Sequence, residues 1–268
     1  MLSGKLSSVL TIYVLAVVCS IARAEVGATH HNCAQKIIIV DAGSSSSKLH
    51  TYQYTLHPTT RLPIVDNETS SKKSGGIQRV DVDNNDLDQY LELLFGTVKN
   101  QTPDYIYFYS TAGMRQITPS RRGLLNQSIE EWLKKAFPSS VIDVQTITGQ
   151  KEGLYAWLAL NYLNGVFAFQ APSQGVLELG GASTQIAYEG DGPGGFKVEI
   201  NNKTRKVNTE SFLGLGLDQA ISQYLNQAAC FPKGYILPNG RKGTGDFDVC
   251  TNKVEPLVSK VHQYFRHF

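Results

Sequence analysis

"KIIIVDAGSSSSKLHTYQY", residues 36–54, decides the fold. An apolar run ends in an acid, Asp41, followed by Ala42, Gly43 and four serines, and the chain then resumes with apolar and polar residues in alternation. The continuous apolar character of 36–40 predicts a buried strand, and the alternation over 49–54 predicts its antiparallel hairpin partner. Serine hydroxyls compete for backbone hydrogen bonds, so four in a row sit poorly inside a strand or a helix and mark a turn. "GVLELGGASTQIAYE", residues 175–189, repeats the device with an apolar strand, an acid (Glu178), glycines, Ser-Thr and a second alternating strand. Glycine lets backbone N–H groups point at a ligand without a Cβ in the way, and hydroxyls add donors, so a concave turn of this kind suits phosphate oxygens. Acids beside such turns repel phosphate unless a divalent cation lies between them. One such turn reads as an ordinary hairpin. Two of them, each opening a strand pair, point to phosphate.

The elements between these units alternate in type, which makes the chain α/β. "DYIYFYS" (104–110) reads as a strand that leads into "TAGMR". Residues 120–137 carry helical periodicity around Leu124, Leu125, Ile129, Trp132 and Leu133, with Ser120 as the expected N-cap. "VIDV" (141–144) is a short strand, and "KEGLYAWLALNYLNG" (151–165) is a helix ended by Asn164-Gly165.

Composition bounds the function. The 268 residues carry a formal net charge of +2, and the basic pairs Lys72-Lys73, Arg121-Arg122 and Lys134-Lys135 are scattered, as on solvated faces, which argues against a nucleic-acid platform. The N-terminus reads as a targeting segment: Lys5 precedes "VLTIYVLAVVC", and "ARA" offers small residues for cleavage after Ala24. That stretch is short for a span of about 20 residues. Uncleaved it would serve as an anchor; cleaved, it leaves a secreted or periplasmic protein with no membrane span in the mature chain. Export favours a disulfide between Cys230 and Cys250, which flank a loop with a turn at Asn239-Gly240. Cys33, in "HHNC" with His30 and His31, reads either as part of a frayed terminus or as a metal site.

Four motifs in order resemble those of the apyrase (nucleoside triphosphate diphosphohydrolase) family. They are Asp41 to Ser47, "STAGMR" (Ser110 to Arg115), "GQKEGLYAWLALNYLNG" with Glu152, Gly153, Tyr155, Trp157 and Asn161 at the family spacing, and "LELGGASTQI" (Leu177 to Ile186). The chain departs from the family pattern at Ser46 and Ser47, where His and Thr are usual, at Ser110, usually Ala, and at Glu178, usually Asp. The resemblance implies an actin-like (ribonuclease H-like) fold of two lobes, residues 25–165 and 166–268, preceded by the signal peptide 1–24.

The resemblance also implies roles. Glu152 matches the general base that orients and deprotonates the attacking water, with Ser183 and Gln185 holding that water. Gly43, Ser44 and Ser45, with Gly180, Gly181 and Ala182, match two phosphate loops that close on a nucleotide's phosphate chain, and Thr111 lies near the phosphates. Arg115 has both a structural and a phosphate-contacting reading. Asp41 and Glu178 match acids that hold Ca2+ or Mg2+ through water. Trp157, Tyr155 and Leu158 read as helix packing. The expected activity is removal of terminal phosphates from nucleoside tri- and diphosphates. "SFLGLGLDQAISQYL" (211–225) resembles the segment after the fourth motif, but the second lobe is shorter than the family's, so it is expected to be incomplete. Two alternatives stand beside this reading. One is an exopolyphosphatase of the same superfamily, against which "EGLYAWLALNYL" weighs. The other is a non-enzymatic or inactive remnant that binds phosphate or nucleotide.

Overall fold

The computed structural model describes residues 35–82, 85–192, 195–224, 227–237 and 240–265. The expected signal peptide, Cys33 and the two histidines before it lie outside the described residues. Two compact units are present, one running to Glu178 and including Gln185–Ser211, the other made of Leu179–Thr184 and Phe212–Phe268. Residues 165 and 166, where the lobe boundary is expected, lie within the first unit.

The first unit holds a five-stranded sheet in the order β3-β2-β1-β4-β5, from β1 (Gln35–Ala42), β2 (Ser46–Leu56), β3 (Pro63–Ser74), β4 (Tyr105–Ser110) and β5 (Val141–Thr146). β1 pairs antiparallel with β2 and parallel with β4, and β4 pairs parallel with β5. The centre of β1, residues 37–40, is an unbroken apolar run because both its faces are covered. Ile38, Val40 and Ala42 join a core with residues of α1 (Asp86–Phe95) and α3 (Pro119–Ala136), while Ile37 and Ile39 join a second with Tyr52, Tyr54, Tyr107 and Tyr109. α2 (Ala112–Arg115) is a single turn that follows β4.

That two-sided burial sets the direction of the acid. Strand side chains alternate, so Asp41 emerges on the face of Ile37 and Ile39. In register it sits opposite Lys48 of β2 and beside Tyr109 of β4. α4 (Gly149–Leu163) meets this face through Tyr155, which stacks on Tyr109 at 6.4 Å. The same helix packs Leu154, Trp157 and Leu158 with Val166 and Phe167 of α5 (Val166–Phe169) and with Ala187, Ile200 and Val207. The last three come from a four-stranded sheet in the order β6-β7-β9-β8, formed by β6 (Val176–Leu179), β7 (Ser183–Glu189), β8 (Phe196–Ile200) and β9 (Lys203–Leu213).

The expected strands and helices are present within a few residues of their predicted ends. One detail is corrected: the N-cap of α3 is Thr118, not Ser120. Thr118's side chain accepts from Arg121 N, and Pro119 takes the first helical position, where its fixed φ suits the helix and its missing N–H costs nothing. In the second unit α6 (Leu217–Tyr224) and α7 (Phe247–Phe265) flank a loop closed by the expected disulfide Cys230–Cys250, across which Ile236 and Lys242 pair antiparallel. Among the described residues, no helix is long and apolar enough to cross a membrane.

Candidate phosphate and acid site

The first turn is held from behind by its carbonyls. Gly43 N–H donates to Ser46 O at 3.0 Å, Gly75 N–H to Ser45 O at 2.9 Å, and Gln78 Nε2 to Ser44 O at 2.8 Å. The Tyr90 hydroxyl lies 2.9 Å from Ser47 Oγ and 2.7 Å from Gly75 O, which ties the supporting loop to the turn. With all three carbonyls bound, the N–H groups of Ser44 and Ser45 donate to no group among the described residues. A turn whose carbonyls face inward presents its amides to an anion.

The second turn, in the other unit, repeats this bonding. Gly180 N–H donates to Ser183 O at 2.9 Å, Gly214 N–H to Ala182 O at 2.8 Å, Gln219 N–H to Gly181 O at 3.0 Å and Leu217 N–H to Gly180 O at 2.8 Å. Here Gly181 and Ala182 are the residues whose N–H groups donate to nothing described. Gly216 is required by close approach, because a Cβ there would lie 2.3 Å from Ala182 N. In both turns the glycine two residues after the acid closes onto the residue three further on.

Three acids converge in the first unit. Glu152 sits in the first turn of α4, which begins where the Thr148 side chain caps Lys151 N. Its Oε2 accepts from Arg115 Nη2 at 2.8 Å and from Gln185 Nε2 at 3.2 Å, while Oε1 takes no donor among the described residues. Burial raises its pKa, and the Arg115 guanidinium partly offsets that rise. Asp41 is pushed up to about 7, by burial first and then by Glu152's charge, against Lys48. Glu178 is pushed up to about 8, by burial and then by the charges of Glu152 and Asp41, with Arg115 and Lys48 opposing. Its Oε2 is buried and has no hydrogen-bond partner among the described residues. Three acids thus meet two basic groups at this site, and burial and repulsion work against their ionised forms. Among the described residues no three acids, histidines or cysteines are close enough to ligate one ion together.

The placement of the remaining expected residues follows. Gln185 is fully buried and also donates to Ser211 Oγ at 3.2 Å. Thr111, buried beside the first turn, donates its N–H to Ala42 O at 3.1 Å. Ser183 and Ala182 are buried in the second turn. Arg115 pairs with Glu152 and donates to Ile147 O at 3.1 Å. Trp157 and Leu158 are packing residues, and so is Asn161, whose side chain bonds Trp157 O and both backbone groups of Gln174. Sequence reasoning missed Gln78, Tyr90, Gly75, Gly216 and Ser211. Only the glycines carried a signal, as breaks just before "IQRV" and inside "LGLGLD".

Residues 28–264 match the family model described as GDA1/CD39 (nucleoside phosphatase). The nucleoside-triphosphatase ntp-1 of Caenorhabditis elegans is 28% identical over 261 residues, which is 82% of this chain and 48% of that protein. The nucleoside-diphosphatase mig-23 of the same organism is 27% identical over 284 residues, 83% of this chain and 51% of that protein. The chain thus spans about half the length of these relatives. Among solved structures, that of nucleoside triphosphate hydrolases from Neospora caninum superposes with a TM-score of 0.50 at 19% identity, covering 81% of this chain and 51% of that one. This likeness concerns the fold.

Proposed function

We propose, for a chain that belongs to the GDA1/CD39 (nucleoside phosphatase) family, the hydrolysis of terminal phosphates from nucleoside tri- and diphosphates. The carrying observation is the repeated turn. Twice the chain binds a turn's carbonyls inward beside a half-buried acid and leaves two adjacent N–H groups for an anion. The named activities of the relatives agree with this reading.

The reaction needs donors for the equatorial phosphate oxygens and a water in line with the terminal phosphorus. The Ser44 and Ser45 amides, the Gly181 and Ala182 amides and Thr111 serve as donors, with Gly43 and Gly180 shaping the turns. Glu152 Oε1 is the base: it takes a proton as the water oxygen bonds to phosphorus and the bridging P–O bond breaks, with the electron pair leaving on the nucleotide's phosphate oxygen. Arg115 and Gln185 fix Oε2, so one oxygen remains free for the water, which Gln185 and Ser183 orient. A divalent cation, Ca2+ or Mg2+, fits the donor set because Glu178 Oε2 is buried without a partner and the acids raise one another. Asp41 and Glu178 would hold it, through water as the resemblance implies, and it would neutralise charge on the phosphate chain. An intervening water also accommodates the longer Glu178 where the family has Asp.

The N-terminal pattern supports a secretory or periplasmic route, and lobes of residues 25–165 and 166–268 belong to the same reading. Phosphate release from ATP, ADP and inorganic polyphosphate by the purified chain, with and without EDTA, tests it. Release from nucleotides that EDTA abolishes and added Mg2+ or Ca2+ restores is the expected result. Release from polyphosphate alone reassigns the substrate, and no release from any of them supports a binding remnant.

A further inference from the structure

The two turns share most of their bonds: Gly180 O also takes the N–H of Leu217, a bond without a counterpart at Gly43 O among the described residues, and one shared place is filled differently. In the second turn the carbonyl two places after the first glycine takes the N–H of Gly214, and in the first turn the equivalent carbonyl takes the N–H of Gly75. One residue earlier the second turn again uses backbone, Gln219 N–H to Gly181 O. The first turn at that place uses a side chain, Gln78 Nε2 to Ser44 O at 2.8 Å. This bond is built into the packing. A Cβ on Gly76 would lie 2.2 Å from Ser44 O and 2.4 Å from the Gln78 amide, and a Cβ on Gly113 would lie 2.6 Å from Gln78 Oε1. Two glycines therefore leave room for this one side chain, and the second belongs to the "TAGMR" segment that also carries Arg115. Gln78 Oε1 is buried there without a hydrogen-bond partner among the described residues. The chain tolerates a buried, unbonded amide oxygen, which is normally costly, in order to keep the Nε2 bond.

We infer that Gln78 is a positioning residue for phosphate binding: its side-chain amide holds the Ser44 carbonyl inward so that the Ser44 and Ser45 N–H groups stay directed at the substrate's phosphate. It touches no substrate. It substitutes for the backbone donor that the second turn has, so the first turn's geometry depends on one replaceable side chain while the second's does not. This rests on the nucleotide-phosphatase reading of the site.

The test compares Gln78→Met, which keeps length and loses the donor, with Gln78→Glu, whose buried carboxyl donates to Ser44 O only when protonated. For Met, KM for nucleotide rises about tenfold, the effect of one lost hydrogen bond to a buried acceptor, while kcat stays within about threefold. For Glu, the KM ratio to wild type is near one at acidic pH and grows as pH rises, a dependence that simple loss of packing does not produce. Hydrogen exchange at the Gly43 and Gly75 amides, read in the same proteins without substrate, is about fivefold faster in the Met variant. If wild type releases no phosphate from nucleotides, the function reading fails and exchange alone decides the role of Gln78. Unchanged exchange in the Met variant, or a KM within twofold of wild type in an active protein, overturns the inference.

Discussion

Replacing Arg115 with Met removes the partner of a buried carboxylate while keeping most of the aliphatic stem. Arg115 Nη2 lies 2.8 Å from Glu152 Oε2, with the two side chains 13% and 10% exposed. Removing one member of a buried ion pair costs about 3–5 kcal/mol when the other charge stays. Glu152 can escape this by taking up a proton, so the cost depends on pH. In acid, where Glu152 is neutral, the variant loses chiefly guanidinium bonds to neutral acceptors such as the Ile147 carbonyl, about 1–3 kcal/mol. Glu152 is already raised above its ordinary value by burial, and Arg115 restrains that rise. Without Arg115 the folded-state pKa rises further. An acid raised in the folded state binds its proton more tightly there than in the unfolded chain, so stability falls as pH rises through the window between the two values. The deficit of Arg115→Met relative to wild type should therefore widen from pH 5 to pH 8 in urea titrations. The acidic limb of kcat/KM should move to higher pH, because the base is deprotonated over a narrower range. An equal deficit at both pH values, with an unmoved limb, refutes the claim that Arg115 sets the ionisation of Glu152.

Glu178→Asp keeps the charge and should retain at least about half of wild-type activity, whereas Glu178→Gln should raise the Mg2+ concentration for half-maximal rate about tenfold or more; a metal titration of both variants separates these outcomes. Gly216→Ala puts a Cβ 2.3 Å from Ala182 N and should raise KM for nucleotide in a protein that still folds; an unchanged KM would show that the second turn does not bind substrate. Cys230→Ser with Cys250→Ser opens a loop of sequence separation 20 and should cost about 3 kcal/mol in the chain-entropy model, read as faster proteolysis confined to residues after Phe212.

What could be read from the sequence was what local periodicity encodes. β1, β2, β4, β5 and α4 follow from apolar runs, alternation and a helical repeat, and the two acid-turn units follow from glycine and hydroxyl residues at a strand end. β3 escaped notice because PIVDNETSSKKS is polar almost throughout; it is an edge strand, where charged and hydroxyl side chains face water. α1 is amphipathic over only 10 residues and gave too short a signal to separate from loop. Within the candidate site, Asp41 and Glu178 stand out in the sequence by their place beside the turns, and Glu152 and Gln185 through the family resemblance. Their supports do not. Gln78 reaches Ser44 from 34 positions away and Arg115 reaches Glu152 from 37, contacts that only the folded sheet creates. Asn161 illustrates the converse: it shares a motif with Glu152, yet its side chain closes the chain at Gln174.

The central claim is that Glu152 Oε1 takes the proton from the attacking water, and Glu152→Gln tests it most directly. The amide keeps the size of the side chain and an oxygen for Arg115 but cannot act as the base. Turnover of ATP by the purified variant in Mg2+ should fall about 10²–10⁴-fold while the dissociation constant of a non-hydrolysable ATP analogue stays within a fewfold of wild type. Turnover within a fewfold of wild type, with binding intact, would place the base elsewhere and contradict the account.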